Sequence, residues 1–236
     1  MFDINITTFA TIMNILLIKY IRMKNLIFTL TAFLLLNGCA SAQDITLPAP
    51  NKQGGKPLMQ ALNERQSVRS FTSENLSLQQ LSDLLWAANG INRPDEKKRT
   101  APTSMNLQEI DVYVSLQSGV YLYDETAHIL KFIKNKDIRS ITGTQSFVGD
   151  AAVNLIYVAD MGKAGKAEGA TITDSDLLAP YADAGFVAQN VYLYCASENL
   201  GTVVRGLVPR DILAAELGLR SNQRIILAQT VGKMGE

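Results

Sequence analysis

Residues 65–71 read Arg65-Gln66-Ser67-Val68-Arg69-Ser70-Phe71. In an extended segment, side chains at every second position project to one side, so Arg65, Ser67 and Arg69 would share an edge. Two guanidinium groups and a hydroxyl in a row suit an elongated anion, such as a phosphate that carries a polyol. Three polar residues in a loop are also the ordinary composition of a solvated surface. The segment therefore offers a binding hypothesis that needs support from the rest of the chain.

Helical patterns flank this segment on both sides. A short helical pattern follows Pro57, before the segment. After it, Ser77 and Gln80 form a capping-box pair, and apolar residues then recur at helical spacing until Gly90. The stretch Leu177–Asn199 predicts a longer helix with apolar residues around much of its circumference. Such a helix is expected to lie in a large core or in a dimer interface.

The middle of the chain changes to the two-residue period of strands. Ile110–Leu116 alternates apolar and polar residues, and Ser118-Gly119 marks a turn after it. Val153–Ala159 is apolar throughout, which indicates a central strand buried on both faces. The remaining elements are strands at Val120–Tyr123, His128–Ile133 and Arg224–Val231 and a short helix at Ile212–Leu217. The pattern predicts an α+β domain with a central mixed or antiparallel sheet surrounded by helices.

Five sequence elements, taken in order, resemble the nitroreductase family. Arg65–Phe71 closely resembles the family's Arg-Arg-Ser-x-Arg-x-Phe signature, and Ala101-Pro102-Thr103-Ser104-Met105-Asn106-Leu107-Gln108 is similar to its Pro-Ser-Ser-x-Asn-x-Gln loop. The hairpin Gly119-Val120-Tyr121-Leu122-Tyr123-Asp124 looks like its Gly-Val-Tyr-x-Tyr-Asp element, which is typical of the branch near the azoline (thiazole- and oxazole-forming) dehydrogenases. The other two are Asp183-x-Gly185-x-x-x-Gln189-Asn190 with Leu200-Gly201, similar to its long central helix, and Val231-Gly232, near its C-terminal Gly-Tyr-Pro. Together they cover nearly all of Pro57–Gly232.

This resemblance implies a nitroreductase-like fold with FMN at a dimer interface, and it assigns cofactor contacts residue by residue. Arg65 and Ser67 correspond to ligands of the FMN phosphate. Arg69 corresponds to the residue along the ribityl chain that reaches N1 and O2, where a cation stabilises the charge of the reduced ring. Gln66 occupies a position that contributes mainly backbone contacts. Asn106 would offer its amide to the pyrimidine edge of the ring, although a loop asparagine can instead bond to its own backbone.

The resemblance extends to the C-terminal part of the chain. Backbone N–H groups of Val204-Arg205-Gly206 correspond to the family's donors to flavin N5 and O4, so no titratable catalytic residue is expected. Lys233 stands where the family has a C-terminal basic phosphate ligand, with a solvated tail as the alternative. Cys195, among apolar helix residues, is interpreted as a packing residue rather than a redox thiol. His128 is the only histidine, so no histidine-based metal site is expected.

The family reaction is ping-pong: a donor reduces FMN and leaves, and an acceptor such as a nitroaromatic, a quinone or an enone takes the electrons at the same face. The resemblance therefore implies a homodimeric FMN-dependent oxidoreductase that acts through flavin N5 on a small organic substrate, with an unknown electron donor. Asp160–Ala179, which contains three glycines, is the predicted lid. No G-x-G-x-x-G motif is present. Two alternatives stay open: a flavin-binding lipoprotein without turnover, and a scaffold that has lost FMN.

The N-terminal sequence predicts export. The apolar run Leu26–Leu36 follows basic residues and is too short to span a bilayer, and Leu36-Asn37-Gly38-Cys39 resembles a bacterial lipobox. These features predict a signal region, with Met23 as the true start, and a lipidated Cys39. A plain cleavable signal or a buried helix is the alternative. The net charge of zero gives no electrostatic reason to expect nucleic acid as a partner.

Three segments follow from this reading: a signal region (1–38), a lipidated cysteine with a tether (39–56) and one FMN domain (57–236). The tether is predicted because residues 40–56 mix proline, glycine and amide side chains. The organisation places the domain in the cell envelope, held to the membrane by lipid. Reduced nicotinamides are cytosolic, so either the donor is not NAD(P)H, or the enzyme oxidises a substrate and passes the electrons elsewhere.

Overall fold

The computed structural model describes residues 19–24 and 43–235. The chain divides into two compact units, Met1–Ser41 and Ala42–Glu236. In the first unit, residues 19–24 are helical and exposed. The predicted signal segment Leu26–Leu36 and the predicted lipidation site Cys39 lie outside the described residues, so both stay predictions. Among the residues that are described, no helix combines the length and the apolar content that a bilayer span requires.

The second unit is built on a seven-stranded sheet in which every pair of neighbours is antiparallel. Its strands are β1 (Ile45–Thr46), β4 (Ile110–Leu116), β5 (Gly119–Asp124), β6 (Ile129–Lys134), β7 (Val153–Asp160), β8 (Leu200–Arg205) and β9 (Gln223–Lys233). Their order across the sheet is β1-β6-β5-β4-β7-β9-β8, which leaves β8 at one edge. A separate ribbon consists of β2 (Ile91–Arg93) and β3 (Lys98–Arg99). The helices are α1 (Leu58–Glu64), α2 (Leu78–Asn89), α3 (Leu178–Ser197) and α4 (Arg210–Leu217).

Helices cover both faces of the sheet, and β7 explains why. All of its residues are buried. Leu155 and Tyr157 pack in one core with α2 and α3, whereas Ile156 and Val158 pack in a second core with α4. A strand buried on both faces must be apolar at every position, and this is what its continuous apolar sequence predicts. The α+β prediction, with its sheet between helices, is confirmed.

The start of α2 shows how local sequence fixes an element. The Ser77 hydroxyl accepts the N–H of Gln80 at 3.1 Å, and the Gln80 side chain accepts the N–H of Ser77 at 3.0 Å. These two bonds satisfy N–H groups that have no partner within the helix. The predicted capping box is confirmed, and the helix ends before Gly90, where the apolar repeat stops.

Residues 43–56 lie against the domain, although their composition predicts a tether. Strand β1 pairs with β6, and Asp44 accepts the N–H of Phe132 at 2.8 Å. The Pro48 carbonyl accepts the Ser82 hydroxyl at 2.6 Å, and Leu47 is 5% exposed. Backbone pairing and side-chain hydrogen bonds, rather than a run of apolar residues, hold this stretch, so its composition did not reveal it. The folded domain therefore begins before the predicted boundary at residue 57.

Candidate functional site

The segment Arg65–Phe71 leaves α1 and crosses the edge of the sheet. Its backbone bonds to the edge strand β8, where the N–H of Val68 donates to the carbonyl of Thr202 at 3.0 Å. Further along, Phe71 forms a bridge with Met234, beyond the end of β9. The segment is thus held by backbone bonds to the edge of the sheet, and its alternate side chains are free to face away from the core.

Two glycines that lie opposite each other in the β8–β9 ladder, Gly201 and Gly232, let the segment approach this closely. A Cβ at Gly201 would stand 2.9 Å from Cγ1 of Val68, and a Cβ at Gly232 would stand 3.2 Å from Cδ1 of Phe71. Neither position leaves room for a side chain without a shift of the segment. The glycines in the motifs Leu200-Gly201 and Val231-Gly232 therefore have a packing reason.

Arg65 and Ser67 both meet Tyr192 of α3. The guanidinium carbon of Arg65 lies 5.3 Å from the centroid of the Tyr192 ring. Oγ of Ser67 lies 2.9 Å from the Tyr192 hydroxyl, which also accepts the N–H of Val204 at 3.0 Å. Positions 65 and 67 thus contact the same side chain, and the place of Arg69 in the row stays a prediction. Tyr192 itself was missed, because it lies in an apolar helix; its signal is that a buried tyrosine, unlike a phenylalanine, needs a partner for its hydroxyl.

The charges along the segment are uncompensated. Gln66 and Arg69 are exposed, and neither Arg65 nor Arg69 forms an ion pair with a carboxylate within residues 43–235. Beside the segment, a cavity of about 410 Å³ is lined by residues that include Arg65, Tyr192 and Cys195. Two guanidinium groups without a carboxylate partner, together with a hydroxyl that can donate, give the segment the groups that an anion would accept from.

Two residues near this cavity have other roles. Cys195 is 1% exposed, and burial raises the pKa of its thiol, which keeps it protonated and favours its packing interpretation. Lys233, the last residue of β9, forms an ion pair with Glu74. Its carbonyl accepts the N–H of Thr72, so it lies beside the end of the segment, with part of its charge already compensated.

The stretch Val204-Arg205-Gly206 differs from its prediction. Val204 and Arg205 belong to strand β8 rather than to a loop. The N–H of Val204 is taken by Tyr192, and because N–H groups alternate in direction along an antiparallel strand, that of Arg205 faces β9. Gly206 alone remains of the three predicted donors; a Cβ there would meet nothing within 4 Å, so its backbone is open to approach.

The side chain of Arg205 is buried and points away from the segment. It is 4% exposed and donates to the Thr142 carbonyl at 2.8 Å, to Asn154 at 3.0 Å and to Thr230 at 3.0 Å. Burial lowers its pKa to about 10, so the guanidinium stays charged at neutral pH. Gly143 makes the site possible, since a Cβ there would overlap the guanidinium. The Arg205 side chain therefore has a structural role, which the prediction of backbone contacts at this residue did not include.

Asn106 lies apart from Arg65 and Ser67. It belongs to the turn Ser104–Asn106, is exposed, and accepts a hydrogen bond from Gln108 at 3.3 Å. The N–H of Ser104 donates to Asp183 of α3 at 2.8 Å. Asp183 and Tyr192 are nine residues apart, about two and a half turns and roughly 13–14 Å along the helix, and so lie on opposite sides of it. One chain alone does not bring Asn106 to the Arg65–Phe71 segment.

Backbone strain marks the loop that carries Asn106. Met105, Asn106 and Gln108 all adopt left-handed conformations, with φ of 49°, 56° and 51°. Non-glycine residues reach this region at a cost of about 1–2 kcal/mol each, and they are concentrated at binding sites. Met105 is also 85% exposed, which is unusual for a methionine. These features support a binding role for the loop.

Two neighbouring buried carboxyl groups lie next to this loop, and neither was assigned a role from the sequence. Glu109 is 1% exposed and Asp183 is 3% exposed. Within residues 43–235, no N–H or O–H group donates to either carboxyl oxygen of Glu109. Burial, together with the neighbouring Asp183, raises the pKa of Glu109 to about 7. A protonated Glu109 can donate to Asp183, whose other bond holds the N–H of Ser104.

Comparison with known proteins shows the family and the fold. The model of the Nitroreductase family matches residues 62–233. A candidate nitroreductase of Methanocaldococcus jannaschii is 31% identical over 160 residues, which cover 63% of this chain and 78% of that protein. A crystal structure of a candidate nitroreductase from Ralstonia eutropha is 42% identical, with a TM-score of 0.77 over 84% of this chain and 92% of that chain. A nitroreductase-like protein from Desulfovibrio desulfuricans, solved in complex with FMN, is 20% identical, with a TM-score of 0.54 over 78% of this chain and 89% of that chain, and shares the fold.

Proposed function

We propose that this chain, which belongs to the nitroreductase family of flavin-dependent oxidoreductases, binds FMN along Arg65–Phe71 and transfers electrons between two small organic molecules. The observation that carries the proposal is that Arg65 and Ser67 meet at Tyr192 on the sheet edge. Arg69 follows two residues further along and is exposed, and neither arginine pairs with a carboxylate in the described part of the chain. Guanidinium groups that no carboxylate has taken can form charge-assisted hydrogen bonds to a phosphate, and FMN supplies one.

The residues present fit FMN along its length. Arg65 and Ser67 would hold the phosphate, which only accepts hydrogen bonds, because both offer donors. Arg69, two residues further along the extended segment, would lie beside the ribityl chain and reach N1 and O2. Gln66 would contribute backbone contacts, Gly206 would offer an open N–H at the ring, and Lys233 would add charge near the phosphate. When bound, FMN accepts and returns electron pairs at N5.

A second copy of the chain would complete the site. Asn106 lies on the other side of α3 from Tyr192, so the amide of one copy would reach the ring of FMN held by its partner. The exposed face of α3 lies between these two sides, and it carries Leu178, Tyr181 and Phe186, which are 71%, 44% and 46% exposed. Exposed apolar residues on one helix face favour association, and a two-fold axis through this face would exchange the Asn106 loops.

We propose the electron donor and the electron acceptor by chemical class. Acceptors of the nitroaromatic, quinone or enone class suit a site without a titratable catalytic side chain. The segment Asp160–Ala179 would act as the lid over them. Because the N-terminal sequence predicts export and a lipidated Cys39, we place the domain in the cell envelope, where a donor other than NAD(P)H would be needed.

The experiment is a spectrum of the full chain purified from cells. We expect flavin absorption bands, FMN as the released flavin by mass spectrometry, bleaching on reduction and recovery on addition of a quinone. Bands that bleach but do not recover with any acceptor would indicate a flavin-binding protein without turnover. A colourless protein that takes up no added FMN would contradict the proposal.

A further inference from the structure

One hydroxyl connects the three elements around the Arg65–Phe71 segment. Tyr192 projects from α3, its hydroxyl accepts the N–H of Val204 in β8 at 3.0 Å, and it lies 2.9 Å from Oγ of Ser67. The side chain is 7% exposed, so water reaches it poorly. The Tyr192 hydroxyl therefore holds the helix, the edge strand and the Arg65–Phe71 segment together through hydrogen bonds to a single oxygen atom.

The protons in this group can be assigned by counting donors. The N–H of Val204 can only donate, so the Tyr192 oxygen accepts it and the phenol proton remains available. Ser67 has one proton, and an anion offers only acceptors. When the Ser67 proton turns to an anion, its oxygen is left to accept the phenol proton. All groups are then satisfied in one direction: Val204 N–H to Tyr192, Tyr192 O–H to Ser67, and Ser67 O–H to the anion. Such chains strengthen each bond by polarisation.

The ring of Tyr192 has a second role. Arg65 lies over it at 5.3 Å, so the cation is held by an aromatic face instead of a carboxylate. A cation–π contact orients the guanidinium while leaving its charge uncompensated, whereas an ion pair would reduce the attraction for an anion. The same side chain therefore contacts both residues assigned to the phosphate, through different groups.

We propose that Tyr192 is a positioning residue that orients Ser67 and Arg65 toward the phosphate of FMN without touching the cofactor. The inference rests on the proposed function, since it assumes that FMN occupies the segment. It predicts that the Tyr192 hydroxyl acts on FMN affinity only through Ser67.

The test is a double-mutant cycle on FMN binding to the full chain after removal of bound flavin. Tyr192→Phe keeps the ring beneath Arg65 and removes the hydroxyl. We expect it to weaken FMN binding about 3- to 10-fold, the range for one hydrogen bond. With Ser67→Ala already present, adding Tyr192→Phe should change the affinity less than twofold. Tyr194→Phe is the matched control, because Tyr194 lies on the same helix and donates to the Gln80 carbonyl at 3.1 Å; it should bind FMN like the parent.

Riboflavin, which lacks the phosphate, supplies a second readout. Its binding should be the same for the parent and Tyr192→Phe. Equal FMN binding by these two proteins overturns the role of Tyr192 while leaving the proposed function intact. So does a Tyr192→Phe effect that is unchanged in the Ser67→Ala background or equal for both flavins, because the residue would then stabilise the fold alone. A parent chain that binds no FMN overturns both proposals.

Discussion

The guanidinium group of Arg65 lies over the ring of Tyr192, and Ser67 reaches the hydroxyl of the same side chain. One residue of the long helix thus supports two residues of a segment that crosses the sheet edge. Arg69, two residues beyond Ser67, is exposed and has no ion-pair partner among residues 43–235. Substitutions of Arg65, Ser67 and Arg69 should therefore have separable effects on the binding of FMN and on its reduction potential.

Arg69 should tune the flavin as well as bind it. Arg69→Ala should lower the reduction potential of bound FMN, because the reduced ring loses a cation near N1 and O2. It should also slow reduction at saturating FMN, and Arg69→Lys should recover part of the potential, since it restores charge without the planar fork. A redox titration with dye indicators measures this. A potential in Arg69→Ala equal to that of the parent would exclude contact with the ring.

Gly201 should be required for the position of the segment. Its substitution by alanine places a Cβ 2.9 Å from Val68 and 3.1 Å from Met234. We expect the free energy of unfolding to fall by about 1–3 kcal/mol, the usual cost of overpacking, together with weaker FMN binding. Gly149→Ala is the control, because a Cβ there meets Ser140 at an ordinary 3.4 Å. If both variants match the parent in denaturant unfolding and FMN affinity, the close contact between Gly201 and the segment is not needed for stability or for FMN binding.

Glu109 should make stability depend on pH near neutrality. Its pKa is raised in the folded state to about 7 from an ordinary value of 4.5. The folded state therefore holds the proton more tightly, and its stabilising effect is complete below pH 4.5 and lost as the pH rises through 7. Between pH 5 and 8 the free energy of unfolding should fall by roughly 1–3 kcal/mol.

Glu109→Gln isolates this effect. Asp183 and Lys163 are the charged groups that act on Glu109. An amide keeps a donor for Asp183 at every pH, so the variant should lose the decline that the parent shows over this range. Urea unfolding at several pH values compares the two proteins. Identical pH profiles would contradict this prediction, because they would show that Glu109 does not change its protonation state in this range.

Asn106 should act on the FMN of the partner subunit. Arg65→Ala and Asn106→Ala each damage both sites of a homodimer. Suppose that each site takes Arg65 from one copy and Asn106 from the other. A mixed dimer of the two variants then has one site with both residues intact and one site in which both are replaced. We therefore expect about half of the sites to bind FMN as tightly as the parent. A titration in which all sites remain weak would place both residues of each site on one chain.

Much of this architecture could be predicted from periodicity. The two-sided burial of β7 and the capping box of α2 are local consequences of residue pattern, and both were predicted. The contact of residues 65 and 67 with one partner followed from the alternation of an extended segment. The all-antiparallel pairing could not be chosen over a mixed sheet, because pairing direction depends on contacts between distant strands.

Long-range hydrogen bonds account for what was missed. Residues 43–56 look like a tether because the groups that hold them, Ser82 and the β6 backbone, lie far along the chain. The burial of the Arg205 side chain was not predicted, because its acceptors, at Thr142, Asn154 and Thr230, come from three other segments. Tyr192 and Glu109 carry no local motif at all. For Tyr192, the available signal was a hydroxyl within an apolar pattern.

The most direct test of the account is a fluorescence titration of FMN into the flavin-free full chain and its Arg65→Ala variant. Loss of one charge-assisted contact, at roughly 1.5–3 kcal/mol, corresponds to about 10- to 150-fold weaker binding. The potential of the flavin that remains bound should barely move. Arg93→Ala, which removes an exposed guanidinium that donates to the Arg99 carbonyl at 3.0 Å, should bind FMN like the parent. Equal affinity of the parent, Arg65→Ala and Arg93→Ala would contradict the account, because Arg65–Phe71 would then be a solvated loop.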